Sequence, residues 1–184
     1  MEKVCVFLAD GFEEIEGLTV VDLLRRAGET VEMVSIMGRK EIDGAHAIRV
    51  IADSLYEETD FTNAKMLVLP GGMPGTLHLG AYEPLTQMLT EWNKEGKNLA
   101  AICAAPSVFG DLGILEGKEA VCYPGFEERL TGATIGKGSV AVDKNVVTSC
   151  GLGTAIDFAA ALIEKLQSKE KAEEIKKSII YGLY

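Results

Sequence analysis

Short apolar runs alternate with amphipathic stretches along almost the whole chain of 184 residues. The runs Val4–Ala9, Met66–Leu69 and Leu99–Ile102 contain no polar residue, which is typical of parallel strands that are covered on both faces. The stretches Ile15–Ala27 and Ala155–Leu166 have the apolar periodicity of helices. This alternation predicts an α/β fold, in which a mostly parallel sheet carries helices on both faces.

The remaining predicted elements are shorter or less regular. We expect strands at Val31–Ile36, Ala120–Cys122, Val140–Val142 and Val146–Ser149, helices at Leu85–Trp92 and Lys169–Ser178, and a small antiparallel pair within Ile42–Ala52. No linker, internal repeat or low-complexity tract divides the chain. Since 184 residues suit one domain, we predict a single domain over residues 1–184.

The chain is acidic. Asp and Glu number 28 against 18 Lys and Arg, which gives a net charge of −10 and a pI near 4.7. Such a field repels phosphate backbones and anionic lipids, so bulk binding of nucleic acid is not expected. The first apolar run, Val4–Ala9, is too short for a signal peptide or a membrane span. We therefore expect a cytoplasmic protein without a membrane partner.

The cysteines and histidines do not form the pattern of a disulfide framework or a zinc site. The four cysteines are far apart without a C-x-x-C pair, and there are only two histidines. In a reducing compartment such cysteines are free thiols. The sequence therefore predicts neither a metal nor another cofactor. The four cysteines are Cys5, Cys103, Cys122 and Cys150, and the two histidines are His46 and His78.

One cysteine stands directly after a predicted strand. Leu99–Ile102 runs into Cys103, two alanines follow, and Pro106 suits the first turn of a helix. This pattern predicts a nucleophile elbow, a tight strand-to-helix turn that presents one side chain at the carboxyl end of the sheet. Backbone N–H groups of the following helix would stabilise a Cys103 thiolate. The alternative is a buried structural cysteine, the commoner fate of a cysteine in an apolar run.

Two further loops should meet Cys103 at the same edge of the sheet. Gly71 and Gly72 follow the strand Met66–Leu69, where paired glycines let the backbone approach a ligand and donate an N–H. Glu16 lies on the apolar face of the first predicted helix. A carboxyl group there is costly unless it is protonated or hydrogen-bonded, which makes Glu16 a candidate site residue.

The first predicted helix carries more apolar residues than one stripe against a sheet requires. A second copy of the chain would cover the surplus, so the sequence predicts a homodimer that forms through this helix. The glutamates at its start, Glu13 and Glu14, are expected only to complement the helix dipole. The apolar residues concerned are Leu18, Val20, Val21, Leu23 and Leu24.

Five motifs in this order resemble the ThiJ/PfpI (DJ-one/PfpI) superfamily, specifically the branch with the parkinsonism-associated protein deglycase and bacterial YajL-like relatives. The motifs span nearly the whole chain and are Ala9–Glu16, Asp22–Gly28, Val68–Gly72, Ala100–Pro106 and Thr148–Thr154. The resemblance implies a flavodoxin-like three-layer sandwich, usually a homodimer with the first helix at the interface. The activities it implies include glutathione-independent glyoxalase, removal of early glyoxal adducts (deglycase), redox sensing and chaperone action.

The same resemblance implies roles for individual residues. Cys103 would be the reactive nucleophile, and Glu16 the carboxyl group that hydrogen-bonds it. Gly72 and Ala104 would supply backbone N–H groups to an oxyanion pocket. The other pocket residues would be Gly71, Tyr123, Cys150 and Gly151.

Some positions depart from the relatives. Tyr123 stands where some members have a histidine, so a Cys-His dyad is not expected. Neither histidine follows Cys103, which excludes a Cys-His-Glu triad of the glutamine amidotransferase type. Ala104 stands where the family's intracellular proteases have a histidine, which argues against a peptidase. His46 and Cys150 replace polar or basic residues near the dimer interface, so anion binding is not predicted there.

Two functions remain open from the sequence. In the first, Cys103 adds to a small reactive carbonyl or its glycated adduct, with Glu16 as the proton-transfer group. In the second, oxidation of Cys103 to a sulfinate makes a redox-sensing or chaperone dimer that acts through a protein partner. Both functions need a reactive thiolate, and we expect Glu16 to hold the proton that the pair shares.

Overall fold

The computed structural model describes residues 2–182. Its strands are β1 (Lys3–Leu8), β2 (Val31–Ser35), β3 (Glu41–Asp43), β4 (Arg49–Ile51), β5 (Ser54–Leu55), β6 (Ala64–Leu69), β7 (Asn98–Ile102), β8 (Glu119–Ala120), β9 (Thr134–Ile135), β10 (Val140–Asp143) and β11 (Val146–Ser149). Its helices are α1 (Glu14–Arg26), α2 (Gly75–Ala81), α3 (Glu83–Lys94), α4 (Pro106–Asp111), α5 (Ala155–Leu166) and α6 (Lys169–Ser178). Short 3₁₀ turns lie at Tyr56–Glu58, Glu127–Arg129 and Leu152–Thr154.

Seven strands form one sheet in the order β10-β11-β7-β6-β1-β2-β5. Every neighbouring pair in it is parallel except β10 with β11. The strands β3 and β4 form a separate antiparallel hairpin, which is the pair predicted within Ile42–Ala52. The predicted α/β fold with a mostly parallel sheet is confirmed.

Successive residues of the central strands face opposite layers of helices. In β1, Val4, Val6 and Leu8 join the core beneath α1, α5 and α6. Cys5 and Phe7 join the other core, beneath α2, α3 and α4. All five side chains are fully buried, because helices cover both faces of the sheet. This three-layer sandwich is the physical reason for the uninterrupted apolar runs in the sequence.

Some elements differ from the prediction. The helix α2 is not predicted, because two of its seven residues are glycine and a proline precedes it. The strand predicted at Ala120–Cys122 is wrong at its carboxyl end. It stops at Ala120, because the Val121 N–H donates to the Thr148 hydroxyl at 2.9 Å instead of extending a ladder. Cys122 lies beyond the strand, although its side chain is buried.

The wide apolar face of α1 is largely covered within one chain. The helix packs against both the sheet and α5. Its apolar residues from Val20 to Leu24 are buried, and Leu18 is half-buried. The surplus apolar surface inferred from the sequence is therefore mostly used inside the chain. Ile15 differs, because 48% of it is exposed.

The helices are modest in length. The longest, α1, has 13 residues. Within residues 2–182, none of the helices combines the length and the hydropathy of a membrane span.

Candidate active site

Three loops meet at one edge of the sheet because β7, β6 and β1 are neighbours and run parallel. Their carboxyl ends lead into Cys103, into Gly71 and Gly72, and into the turn that begins α1. In open parallel sheets, ligands bind at this edge. The topology thus brings together the three segments that the sequence singled out.

Cys103 adopts an unusual backbone conformation. Its φ of 66° lies in the left-handed region, which costs a residue other than glycine about 1–3 kcal/mol. Two backbone hydrogen bonds hold it there: its N–H donates to the Ser149 carbonyl at 2.9 Å, and its carbonyl accepts from the Tyr123 N–H at 2.8 Å. The side chain is half-buried. This is the geometry of a nucleophile elbow between β7 and α4.

Glu16 lies in the first turn of α1 and is almost fully buried. Glu13 caps this helix, since its carboxylate accepts the Glu16 N–H at 2.7 Å. The Glu16 carboxyl accepts the Gly71 N–H at 3.0 Å and a second N–H from Leu152, and it is hydrogen-bonded to the Cys103 thiol. The helix phase and these amides together point the carboxyl group at the sulfur.

The two glycines after β6 have no room for a side chain. A Cβ added at Gly71 would lie 2.5 Å from the Cys103 Cβ and 2.6 Å from the Glu16 carboxylate. Gly72 has a φ of 91°, and a Cβ there would lie 2.2 Å from the Glu13 nitrogen. Glycine at position 71 therefore lets the loop backbone pack directly against the Cys103–Glu16 pair, and glycine at position 72 lets it pack against the turn before α1.

Burial raises the pKa of Glu16 to about 7. Its hydrogen bond with Cys103 lowers that pKa, the charge of Glu13 raises it, and the amides of Gly71 and Leu152 lower it. Burial outweighs the hydrogen bonds because the carboxyl group has little contact with water. Glu16 therefore exchanges its proton in the neutral range of pH.

Burial also raises the pKa of the Cys103 thiol, and the negative charge of Glu16 raises it further. The N–H groups of Ala104 and Gly72 point at the sulfur and lower its pKa. Repulsion by Glu16 acts only while Glu16 is ionised. Once Glu16 is protonated, its O–H can donate to the sulfur. Between the Glu16 pKa of about 7 and the Cys103 pKa of about 12, the pair carries one negative charge and shares one proton.

The outer pocket residues predicted from the sequence lie around this pair in different ways. The backbone N–H of Tyr123 donates to the Cys103 carbonyl. The Tyr123 side chain is half-exposed and lies beside Gly151. A Cβ at Gly151 would lie 3.7 Å from the Glu16 carboxylate. Cys150 is more peripheral, because its thiol is directed at the Gly138 carbonyl at 3.6 Å.

One contributor was missed by sequence reasoning. The Leu152 N–H that reaches Glu16 belongs to a turn after β11, and a backbone donor leaves no residue-type signal. Neither histidine is a hydrogen-bonding partner of Cys103. His46 bonds Glu14 at 2.9 Å, and His78 donates to the Asp10 carbonyl at 3.0 Å.

A model of the DJ-1/PfpI family matches residues 2–165. The chain belongs to the DJ-1/PfpI family. Protein DJ-1 homolog B of Arabidopsis thaliana is 38% identical over 181 residues, which cover 97% of this chain and 41% of that protein. The chain thus spans less than half the length of this relative. A protein of Pyrococcus abyssi named a deglycase is 31% identical over 150 residues, which cover 80% of this chain and 89% of that protein.

Solved structures of DJ-1 proteins share the fold. The structure of oxidized Toxoplasma gondii DJ-1 is 37% identical, with a TM-score of 0.94 over 99% of this chain and 100% of the other. This similarity confirms the flavodoxin-like sandwich that the family resemblance implied. Membership of the family supports a cysteine enzyme or a stress protein of the DJ-1 type.

Proposed function

We propose that this protein is a cysteine-dependent enzyme that acts on small reactive carbonyls or their glycated adducts. One observation carries the proposal: a strained elbow holds the Cys103 sulfur against a buried carboxyl group and two backbone N–H donors. A structural cysteine needs none of these features. The relative of Pyrococcus abyssi named a deglycase supports the same class of reaction.

The first step would be addition of the Cys103 thiolate to the carbonyl carbon of an aldehyde. A C–S bond forms, and the carbonyl electron pair moves onto oxygen. The N–H groups of Gly72 and Ala104 are placed to stabilise the developing oxyanion. Glu16 then gives its proton to that oxygen, which yields a neutral hemithioacetal.

With methylglyoxal, the hydrogen on the sulfur-bearing carbon would next move to the neighbouring ketone carbon, while the hydroxyl proton of the hemithioacetal passes to the ketone oxygen. The product is a thioester of lactate, which water hydrolyses to release lactate and the free thiol. The overall reaction adds one water to methylglyoxal and needs no external oxidant or reductant. Glu16 can accept and return protons because its pKa lies near neutrality.

The decisive experiment is turnover of methylglyoxal by the purified protein, followed as lactate formed per chain. We expect many turnovers for the wild type and none for Cys103→Ala. Cys122→Ala is the matched control, because it removes a buried thiol outside the Cys103–Glu16 pair. Failure of the wild type to form lactate catalytically would contradict this proposal.

The second candidate is a redox-responsive or chaperone dimer. Cys103 is half-buried beside Glu16, so peroxide can reach a sulfur that its carboxyl neighbour can stabilise as a sulfinate. The similarity to an oxidized Toxoplasma gondii DJ-1 favours this candidate. Selective oxidation of Cys103 without carbonyl turnover would support it over the enzyme.

We further propose that the protein is a homodimer through α1. Ile15 at the start of this helix and Ile48 before β4 are each about half-exposed. Glu14 joins these two segments by accepting backbone N–H groups of His46 and Ile48. Exposed isoleucines on adjoining elements favour contact with a second copy.

A further inference from the structure

Two buried carboxylates and one imidazole meet where α1 begins, on the side that faces the β3–β4 hairpin. The ligand atoms of Glu13, Glu14 and His46 all lie within 4.8 Å of one another. We propose that these three side chains bind a divalent transition-metal ion such as Zn²⁺, at a site separate from the Cys103 sulfur.

In each carboxylate, one oxygen accepts a backbone N–H and the other faces the imidazole of His46. Glu13 Oε2 accepts the Glu16 N–H at 2.7 Å, and Glu14 Oε1 accepts the His46 N–H at 2.7 Å. The remaining oxygens face His46 Nδ1, at 2.9 Å from Glu14 Oε2 and 3.9 Å from Glu13 Oε1. The backbone thus orients both carboxylates, as outer hydrogen bonds orient the ligands of metal sites.

Glu13 has an oxygen without a protein donor. Within residues 2–182, no hydrogen bond reaches its Oε1, although the residue is only 9% exposed. This oxygen keeps contact with solvent, because in the described residues only the Thr76 hydroxyl is a buried side-chain polar atom without a partner. Glu13 Oε1 is therefore free to bind a cation together with Glu14 and His46.

The charge of the cluster is not neutralised by basic side chains. No lysine or arginine in the described part of the chain forms an ion pair with Glu13 or Glu14, and His46 is their ion-pair partner. Two carboxylates with one imidazole would attract a divalent cation, and the net charge of −10 adds to that attraction. The His46 side chain is 68% exposed in one chain, so its imidazole is not held by core packing.

The donor atoms suit an ion of the zinc class. Zinc is bound by imidazole nitrogen and carboxylate oxygen at about 2.0–2.2 Å, which places ligand atoms about 3.4 Å apart around a tetrahedral ion. The separations of 2.9 and 3.9 Å lie on either side of that value. Binding at Nδ1 displaces the proton on that nitrogen, and a water molecule completes the coordination.

Without a metal, the cluster would be only a hydrogen bond that joins α1 to the hairpin. Binding of Zn²⁺ measured by calorimetry, in buffers of different ionisation enthalpy, separates the two cases. We expect one ion per chain, release of a proton, and a rise in the Tm of the wild type with Zn²⁺. Co²⁺ should give ligand-field absorption without a thiolate charge-transfer band, which excludes the cysteines as ligands.

His46→Ala is the test variant, because this exposed side chain can be removed without opening the core. We expect its Zn²⁺ affinity to fall at least tenfold and its Zn²⁺-dependent rise in Tm to disappear. His78→Ala, which removes the other imidazole, should retain both. Glu13→Gln keeps a carboxamide oxygen for the helix cap and should also weaken binding. Unchanged affinity in His46→Ala, a thiolate band with Co²⁺, or no stoichiometric Zn²⁺ binding by the wild type would overturn the proposal.

Discussion

The Gly71 amide donates a hydrogen bond to the Glu16 carboxylate at 3.0 Å, across 55 positions of sequence. This bond ties the loop after β6 to the first turn of α1. It helps to hold the Glu16 carboxyl group beside Cys103. The reactive pair therefore depends on a third residue that has no side chain.

Gly71→Ala should reduce turnover on the order of 100-fold. The added Cβ would lie 2.5 Å from the Cys103 Cβ and 2.6 Å from the Glu16 carboxylate, so the pair must separate. A displacement of about 1 Å in a catalytic group can cost this much in rate. Steady-state kinetics with methylglyoxal, together with thermal unfolding, would measure the effect.

Gly153→Ala is the matched control for that substitution. It lies in the neighbouring turn Leu152–Thr154, and an added Cβ meets nothing within 4 Å. We expect its turnover and its Tm to stay close to those of the wild type. Equal activity of Gly71→Ala and Gly153→Ala would show that the contact between Gly71 and the pair is irrelevant to the reaction.

Glu16→Leu should slow alkylation of Cys103 about tenfold at a pH below the Glu16 pKa of about 7. In that range Glu16 is protonated and donates to the small reactive fraction of Cys103 that is thiolate. A hydrogen bond to a charged group is worth about 1.5 kcal/mol or more. Glu16→Gln retains an N–H donor and should alkylate faster than Glu16→Leu. Iodoacetamide labelling, followed by peptide mass spectrometry, measures the rates.

The rate of Cys103 alkylation should change with pH in a defined direction. As the pH rises through about 7, wild-type Glu16 loses its proton, stops donating and begins to repel the thiolate. A plot of the wild-type alkylation rate against pH should therefore not fit a single ionisation. The same plot for Glu16→Gln should fit a single ionisation, that of the thiol. If Glu16→Leu leaves the profile unmoved, Glu16 does not control the thiol.

Local patterns made the elbow predictable. An apolar strand, a cysteine, two alanines and a proline specify a strand-to-helix turn without reference to the rest of the chain. The burial of Glu16 follows from its phase on the helix. The bond between Glu14 and His46 could not be predicted, because it joins residues 32 positions apart through a hairpin of uncertain register. From the sequence, Glu14 is expected only to complement the helix dipole. In the structure it is also buried and hydrogen-bonded to His46.

The four thiols should differ strongly in alkylation rate, with Cys103 fastest. Burial raises the pKa of Cys5 and of Cys103 to about 12 and that of Cys122 to about 11, so the pKa values alone do not set this order. Cys5 and Cys122 are buried away from the reagent, whereas Cys103 is half-buried and its thiolate accepts the Gly72 and Ala104 N–H groups. Cys150 is half-buried like Cys103 but lacks the Gly72 and Ala104 donors, so it is the matched comparison. Rates for each peptide in one labelling reaction give the order directly. Cys150 reacting as fast as Cys103 would contradict the proposed site.

A dimer through α1 predicts a species of twice 19.7 kDa in sedimentation at micromolar concentration. Ile15→Lys should shift the protein toward the monomer, because a charge in the centre of an apolar contact is costly to bury. Lysine is a good helix former and Ile15 is 48% exposed in one chain, so the fold itself should be little affected.

Val142→Lys is the control for Ile15→Lys. Val142 is 57% exposed on the edge strand β10, which the proposed contact does not include. The same lysine there should leave the dimer intact, whereas the substitution on α1 should raise the dissociation constant at least tenfold. Sedimentation of the wild type only as a 19.7 kDa species would contradict the dimer. Equal effects of the two variants would place the interface elsewhere than α1.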